Sequence, residues 1–258
     1  MTATIPAIGR QVRWEQKSYW RNPAAAVFTF AFPLLFLVIF TALYGNGTVD
    51  LPGGEVKFTQ YYVPAIVSFG LISACYTNLA FVVCIRRENG LLKRSRGTPL
   101  SPVAYLGGIV GNVILVGLIL TTLVVLLGVI AYGVTFPGRY VGLAVAIAAG
   151  GFCFSALGIA VSTIVPNEDA APAIINFILF PLLFISGTFG PVSSTSALGR
   201  VAAVFPVRHL VLAMVAVFNP FGGGTGIVAV HTLALLGWGV IGLLISLRRF
   251  RWEPRIKS

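Results

Sequence analysis

Residues 97–138 read GTPLSPVAYLGGIVGNVILVGLILTTLVVLLGVIAYGVTFPG, an unbroken run without Asp, Glu, Lys or Arg. A helix needs about 20 apolar residues to cross the ~30 Å hydrocarbon layer of a bilayer, and this run holds one at 102–132. Five more charge-free windows surround it, at 22–49, 58–85, 140–167, 170–199 and 209–247. They predict helices at 24–44, 61–85, 140–165, 171–189 and 225–247, so the chain is expected to cross six times. Of its 258 residues, 57% are hydrophobic and only 10% charged, with a mean hydropathy of +0.92. A soluble domain carries roughly a quarter of its residues charged, so this chain cannot coat a water-facing globule, and it is too apolar to stay disordered. The expected fold class is an all-α integral membrane protein.

The 18 Lys and Arg against 7 Asp and Glu give a net charge of +11. In a membrane protein such an excess marks cytoplasmic loops and implies no nucleic acid. With both termini inside, Arg10, Arg13, Lys17, Arg21, Arg86, Arg87, Lys93, Arg94, Arg96, Arg248, Arg249, Arg251, Arg255 and Lys257 all fall on the cytoplasmic side. Only Lys57, Arg139, Arg200 and Arg208 fall outside. Between 189 and 225 the apolar pieces 201–205 and 210–218 are interrupted by Arg200, Pro206, Arg208 and Pro220. A seventh span there would place the basic tail outside. Two short helices dipping in from the outer face fit better, provided neighbouring helices cover their backbone. The organisation is then an interfacial segment at 1–23, one membrane domain at 24–247 and a basic tail at 248–258. The first apolar run follows a basic preface and meets no small-x-small cleavage site, so it is expected to be retained as a span.

Two cytoplasmic pieces stand out. In the first, Arg10, Arg13, Lys17 and Arg21 gather on one side of a helix while Ile5, Ile8, Val12 and Tyr19 gather on the other, the pattern of a helix lying along a membrane surface. The second is the stretch Arg86-Arg87-Glu88-Asn89-Gly90-Leu91-Leu92-Lys93-Arg94-Ser95-Arg96. It predicts a helix of about three turns, with Gly97 as its stop and Pro99 as a rigid exit. Leu91 and Leu92 form a small apolar ridge that a loop serving topology alone does not need.

That loop, with Glu88-x-Gly90, a basic stretch, Thr98-Pro99-Leu100-Ser101 and then Tyr105-Leu106-Gly107-Gly108, resembles the coupling-helix region of type-2 ATP-binding-cassette permeases, the membrane subunits of many bacterial exporters. A second block, Phe180-Pro181-Leu182-Leu183-Phe184-Ile185-Ser186-Gly187-Thr188-Phe189-Gly190-Pro191 followed by Phe205-Pro206-Val207-Arg208-His209-Leu210, is similar to the family's fifth span and outer re-entrant hairpin. Many members carry Pro or Trp where Thr195-Ser196-Ala197-Leu198 stands, which blurs the cargo more than the family. The resemblance implies a permease in the cytoplasmic membrane of a bacterium, with two such chains (identical or sister) pairing with two ATPase subunits. Spans rich in Phe, Leu and Val, with no buried charge to meet an ionic solute, predict an apolar or amphipathic cargo such as a drug, an antibiotic or a lipid. The resemblance also implies that Arg86, Arg87, Glu88, Asn89, Gly90, Leu91, Leu92, Lys93, Arg94 and Arg96 seat on the ATPase, and that Ser186, Gly187, Pro191 and Pro206 shape the hairpin.

The chain holds no Gly-x-x-x-x-Gly-Lys-Ser/Thr phosphate loop, so no nucleotide cofactor is expected in it; ATP and Mg would belong to the partner. No nucleophile–base pair or metal cluster suggests an enzyme. His209 and His231, read separately, are simplest as hydrogen-bonded structural residues. Ion-driven transport needs ionisable relays at membrane depth, and the acids all sit in loops or termini. A secondary carrier or channel, or a non-transporting anchor, remains the alternative. Asn78, Asn112 and Asn176 are polar groups within spans. They fit interhelical hydrogen bonding most simply, or else polar handles on a translocation path. Gly107-x-x-x-Gly111 and Gly237-x-Gly239-x-x-Gly242 are surfaces that let another helix come close.

Overall fold

The computed structural model describes residues 4–97, 101–250 and 252. Thr98-Pro99-Leu100 and all of the tail beyond Phe250 except Trp252 lie outside the described residues. Helix α1 (Thr4–Trp20) leads into α2 (Pro23–Tyr44), which crosses to the far end of the bundle. There the chain makes a feature the sequence reading had not placed, an antiparallel hairpin of β1 (Thr48–Leu51) and β2 (Gly54–Lys57). Pro52-Gly53 supplies its two-residue turn, with Pro fixing the first φ and Gly accepting a positive second one. Val49 and Val56, paired across the strands, turn inward at alternate positions, as the two-residue period of a strand requires.

The return path is a continuous helical rod, Phe58–Glu88. It consists of α3 (Phe58–Ile72), a π-helical turn at Ser73–Asn78, and α4 (Leu79–Glu88). Every residue of α3 is buried, so α3 is the axis of the molecule. After α5 (Leu91–Arg96) come α6 (Pro102–Tyr132) and α7 (Tyr140–Ser162). Ser101 caps α6 by accepting from the Ala104 N–H at 3.2 Å, and Pro102 occupies the first turn where its missing N–H costs nothing.

Helix α8 (Ala171–Ile185) ends four residues before the predicted 189. The cause is local: Gly187 takes the left-handed region at φ +92°, and its carbonyl accepts from the Tyr61 hydroxyl at 2.6 Å. Ser186 closes the turn, donating to Leu183 O at 2.9 Å and pairing with the Thr188 hydroxyl at 2.8 Å. At ~1.5 Å per residue α8 is about 22 Å long, shorter than the five helices that, among the described residues, are long and apolar enough to cross a membrane. The stretch 190–220 contains two short helices, α9 (Ala197–Ala202) and α10 (Pro206–Phe218), the latter packed on α3. The final helix, α11 (Ala229–Arg249), begins four residues later than predicted, beyond the glycine-rich loop at 222–226.

Both glycine surfaces are used within the chain. Ile8, Gln11 and Val12 of α1 lie over Gly107, Gly108 and Gly111 of α6, so much of α1's apolar side meets protein. Gly239 and Gly242 let α11 close on Phe152, Cys153, Ala156 and Leu157 of α7, while Gly237 faces open space. A ladder of rings then runs along α2 at helical spacing, Phe32, Phe36, Phe40 and Tyr44, against Phe58, Tyr62 and Phe69 of α3 and against Phe189. Centroid separations of 4.8–6.1 Å along α2 are those of attractive stacked and tilted pairs.

Candidate functional site

At the end of the bundle holding α1 and α5, the loop 86–96 does not form the continuous helix the sequence suggested. The rod stops at Glu88, Asn89 leaves helical geometry, and Gly90 turns left-handed at φ +67° before α5 starts afresh at Leu91. A Cβ on Gly90 would meet nothing within 4 Å, so only the backbone angle asks for glycine. Gly90→Ala is expected to cost about 1–2 kcal/mol, and Gly90→Asn clearly less, since Asn visits that region more readily. Denaturation midpoints of the two variants check this.

The structure sorts the ten residues of the loop into roots and surface. Arg87 is buried, and its guanidinium donates to Ser162 O at 2.8 Å and Val165 O at 2.7 Å, closing off carbonyls at the end of α7. Cations are favoured there by the helix dipole. Arg86 meets Glu15 of α1 in a two-pronged pair of 2.7 and 2.6 Å and also reaches the Tyr105 hydroxyl of α6 at 3.2 Å. Gln11 adds a bond to the same carboxylate at 2.7 Å. Planar guanidinium and carboxylate groups match in this geometry, which makes it among the stronger polar contacts. One ion pair thus binds α1, α4 and α6 together.

Leu92, expected on an exposed ridge, is fully buried in the core; Leu91 alone is 45% exposed. Glu88 is half-buried with its carboxylate 3.9 Å from Arg87 Nε. Asn89, Leu91, Lys93 and Arg94 are the exposed members. Arg96 closes α5, and its side chain lies outside the described residues.

The three asparagines fall on two adjoining cavities. Asn78, the last residue of the π-helical turn, lines both. The smaller cavity, about 200 Å³, is bounded by Glu15, Arg86 and the buried Asn112, whose side-chain oxygen has no hydrogen-bond partner among the described residues. Tyr19 also borders it, and burial raises the pKa of its phenol. The larger cavity, about 440 Å³, holds Asn176 of α8 among the rings of Phe28, Phe32, Phe69, Phe81 and Phe180. Such a cavity suits an apolar ligand with a few oriented polar groups. A π-helical turn between the two follows the tendency of π-bulges to occur at functional sites.

Away from the loop, the hairpin residues are spread rather than gathered, Pro206 bordering a separate cavity with Tyr76 and Phe154. Gly187 sits on Tyr61, Pro191 lines a cavity of about 1060 Å³, and Pro206 opens α10. Sequence reasoning missed Glu15, and it missed Gln60, which donates to Phe218 O at 2.8 Å and accepts from the Thr135 N–H at 2.9 Å. It also missed the pairing of His209 with His231. Among the described residues no three or more His, Cys, Asp or Glu side chains converge as a metal-binding group.

Comparison with known proteins adds to this geometry. The chain is 31% identical, over 165 residues, to the daunorubicin resistance ABC transporter permease protein DrrB1 of Streptomyces coeruleorubidus, a match spanning 61% of this chain and 55% of that protein. The family model described as ABC-2 type transporter matches residues 8–219, from α1 through the end of α10, and so takes in the rooted loop, both asparagine cavities and the turn at Gly187. A match over that share of a predominantly helical membrane chain places it in a family: this protein belongs to the ABC-2 type transporters.

Proposed function

We propose that the chain is the membrane-spanning permease subunit of an ATP-driven exporter that moves a hydrophobic or amphipathic compound, a drug or antibiotic before a lipid, across a bacterial cytoplasmic membrane. The observation that carries this reading is the rooted loop. Asn89, Leu91, Lys93 and Arg94 are presented to the outside on a base that Arg87, Leu92 and the Arg86–Glu15 pair fix to three helices. A push on that surface moves α4, α6 and α7 as a body, as a motor-driven lever requires.

In this reading a separate ATPase binds ATP and Mg, two copies serve two permease chains, and Glu88 and Gly90 shape the seat. The termini lie in the cytoplasm, α8 completes six spans, and α9–α10 form a re-entrant hairpin covered by α3 and α11. The ring-lined cavity with Asn78 and Asn176 is the cargo path, its aromatic walls suited to a planar aromatic compound. The drug-resistance relative supports that choice. The protruding rings of Phe177 and Phe184 on α8, 80% and 67% exposed, are offered to the second permease chain.

The test is reconstitution of the chain with its ATPase in sealed inverted vesicles. ATP should drive uptake of a fluorescent planar aromatic amphipath, and the chain alone should not. Uphill uptake by the chain alone on an ion gradient would establish the rival carrier instead. The double variant Leu91→Asp/Arg94→Glu should insert normally yet lower ATPase association at least about tenfold, since it buries a charge and reverses another at the interface. Unchanged co-purification would remove the loop from the interface.

A further inference from the structure

One juxtaposition in the molecule lies apart from the rooted loop and from both asparagine cavities. His209, in the first turn of α10, and His231, in the first turn of α11, bring their Nδ1 atoms to 3.0 Å of each other. The ring centroids are 5.2 Å apart and the planes cross at 49°. The second nitrogen of His209, Nε2, is 2.9 Å from the Ala203 carbonyl. A carbonyl only accepts, so Nε2 carries the proton, and the neutral ring then presents a lone pair from Nδ1 toward His231. Fixing the tautomer by a backbone carbonyl on the far nitrogen is the arrangement that metal-binding histidines use.

We infer that His209 and His231 form a two-imidazole site for a borderline transition-metal ion of the Zn²⁺ class, with solvent in the remaining positions. Two nitrogens bound at ~2.0–2.1 Å to one tetrahedral ion are about 3.3 Å apart. The observed 3.0 Å is reached from there by small side-chain rotations, with no backbone movement. His231 also lines the cavity of about 1060 Å³ at this end, which leaves room for the ion and its waters. Arg208 precedes His209, and its guanidinium donates to Val192 O and to the Ser194 hydroxyl, both at 3.1 Å. Its charge opposes a cation, and with only two protein ligands the site is one of exchangeable binding. An ion held there pins α10 to α11, alongside the bond from Trp238 Nε1 to Val204 O at 2.9 Å.

The experiment uses the purified full chain in detergent with Zn²⁺ itself as the probe, read by equilibrium dialysis and thermal unfolding. One Zn²⁺ per chain and a Zn²⁺-dependent rise in unfolding temperature are expected. His209→Ala and His231→Ala should each weaken binding at least about tenfold. His231→Asn keeps an N–H donor for His209 but offers no ligand. It should therefore unfold like the parent without metal and lose the Zn²⁺-dependent rise. Saturable binding unchanged in the histidine variants would assign the ion to other groups, such as the buried thiols of Cys75, Cys84 and Cys153, and overturn the site. Absence of binding up to about 1 mM Zn²⁺ would overturn it equally.

Discussion

Replacing Arg86 with Met is expected to lower stability by about 3–5 kcal/mol, because it leaves the buried Glu15 carboxylate without its partner. The pair is well enclosed, at 19% and 6% exposure, so solvent does little to soften that loss. The partner variant Glu15→Leu should be similarly costly. The double variant Glu15→Leu/Arg86→Met should recover most of the loss, since apolar side chains of similar volume remove both desolvation penalties at once. Unfolding of all four proteins in mild detergent measures the coupling between the two positions. Coupling near zero would mean that α1 is held by its packing on Gly107, Gly108 and Gly111 alone. The recovered double variant carries a second expectation. If ion-pair geometry transmits motion from the loop into α1 and α6, cargo-stimulated ATP hydrolysis should stay impaired when stability has returned.

The second large effect concerns Gly158 on α7. A Cβ there would lie 2.9 Å from Tyr76 O and 3.0 Å from Cys75 O, both backbone atoms of the π-helical turn. Neither can swing aside as a side-chain tip would, so Gly158→Ala must separate α7 from the central rod. Overpacking of this kind costs about 1–3 kcal/mol, and Gly158→Leu should prevent folding. Gly237→Ala is the control: its added methyl meets nothing within 4 Å, and the better helix propensity should raise stability by up to about 1 kcal/mol. Equal tolerance at the two positions would show that the turn accommodates α7 by relaxing.

Much of this was legible in the amino-acid order. Long charge-free runs gave the helices, and the small-residue surfaces on α6 and α11 announced close approaches that α1 and α7 make. Glu15 could have been found as well, for it shares the helical stripe of Ile8, Val12 and Tyr19, where an acid is out of place unless paired. Asn89-Gly90 was a turn signal inside a stretch read as one helix. Other features left no such trace. Arg86 and Arg87 are adjacent and identical, yet one pairs with an acid and the other with carbonyls, which register alone decides. The hairpin at Thr48–Lys57 has strands of four residues, too short for alternation to rise above chance. The early end of α8 depends on Tyr61, distant in sequence, and the two histidines meet only because α10 folds back.

The complete enclosure of α3 bears on how the protein is made. Thr59, Gln60 and Ser68 sit on this rod; the Ser68 hydroxyl donates to Pro64 O within it at 2.9 Å, but Gln60 donates to Phe218 O of α10, 158 residues further along the chain. A nascent chain that has emerged only as far as Glu88 holds the Gln60 side chain without its final partners, Thr135 N–H and Phe218 O, so the central rod is made early and satisfied late. Biogenesis therefore has to shelter residues 58–72, beside the insertion machinery or against α2, until residue 218 has been added, and truncation before that point should mark the product for degradation.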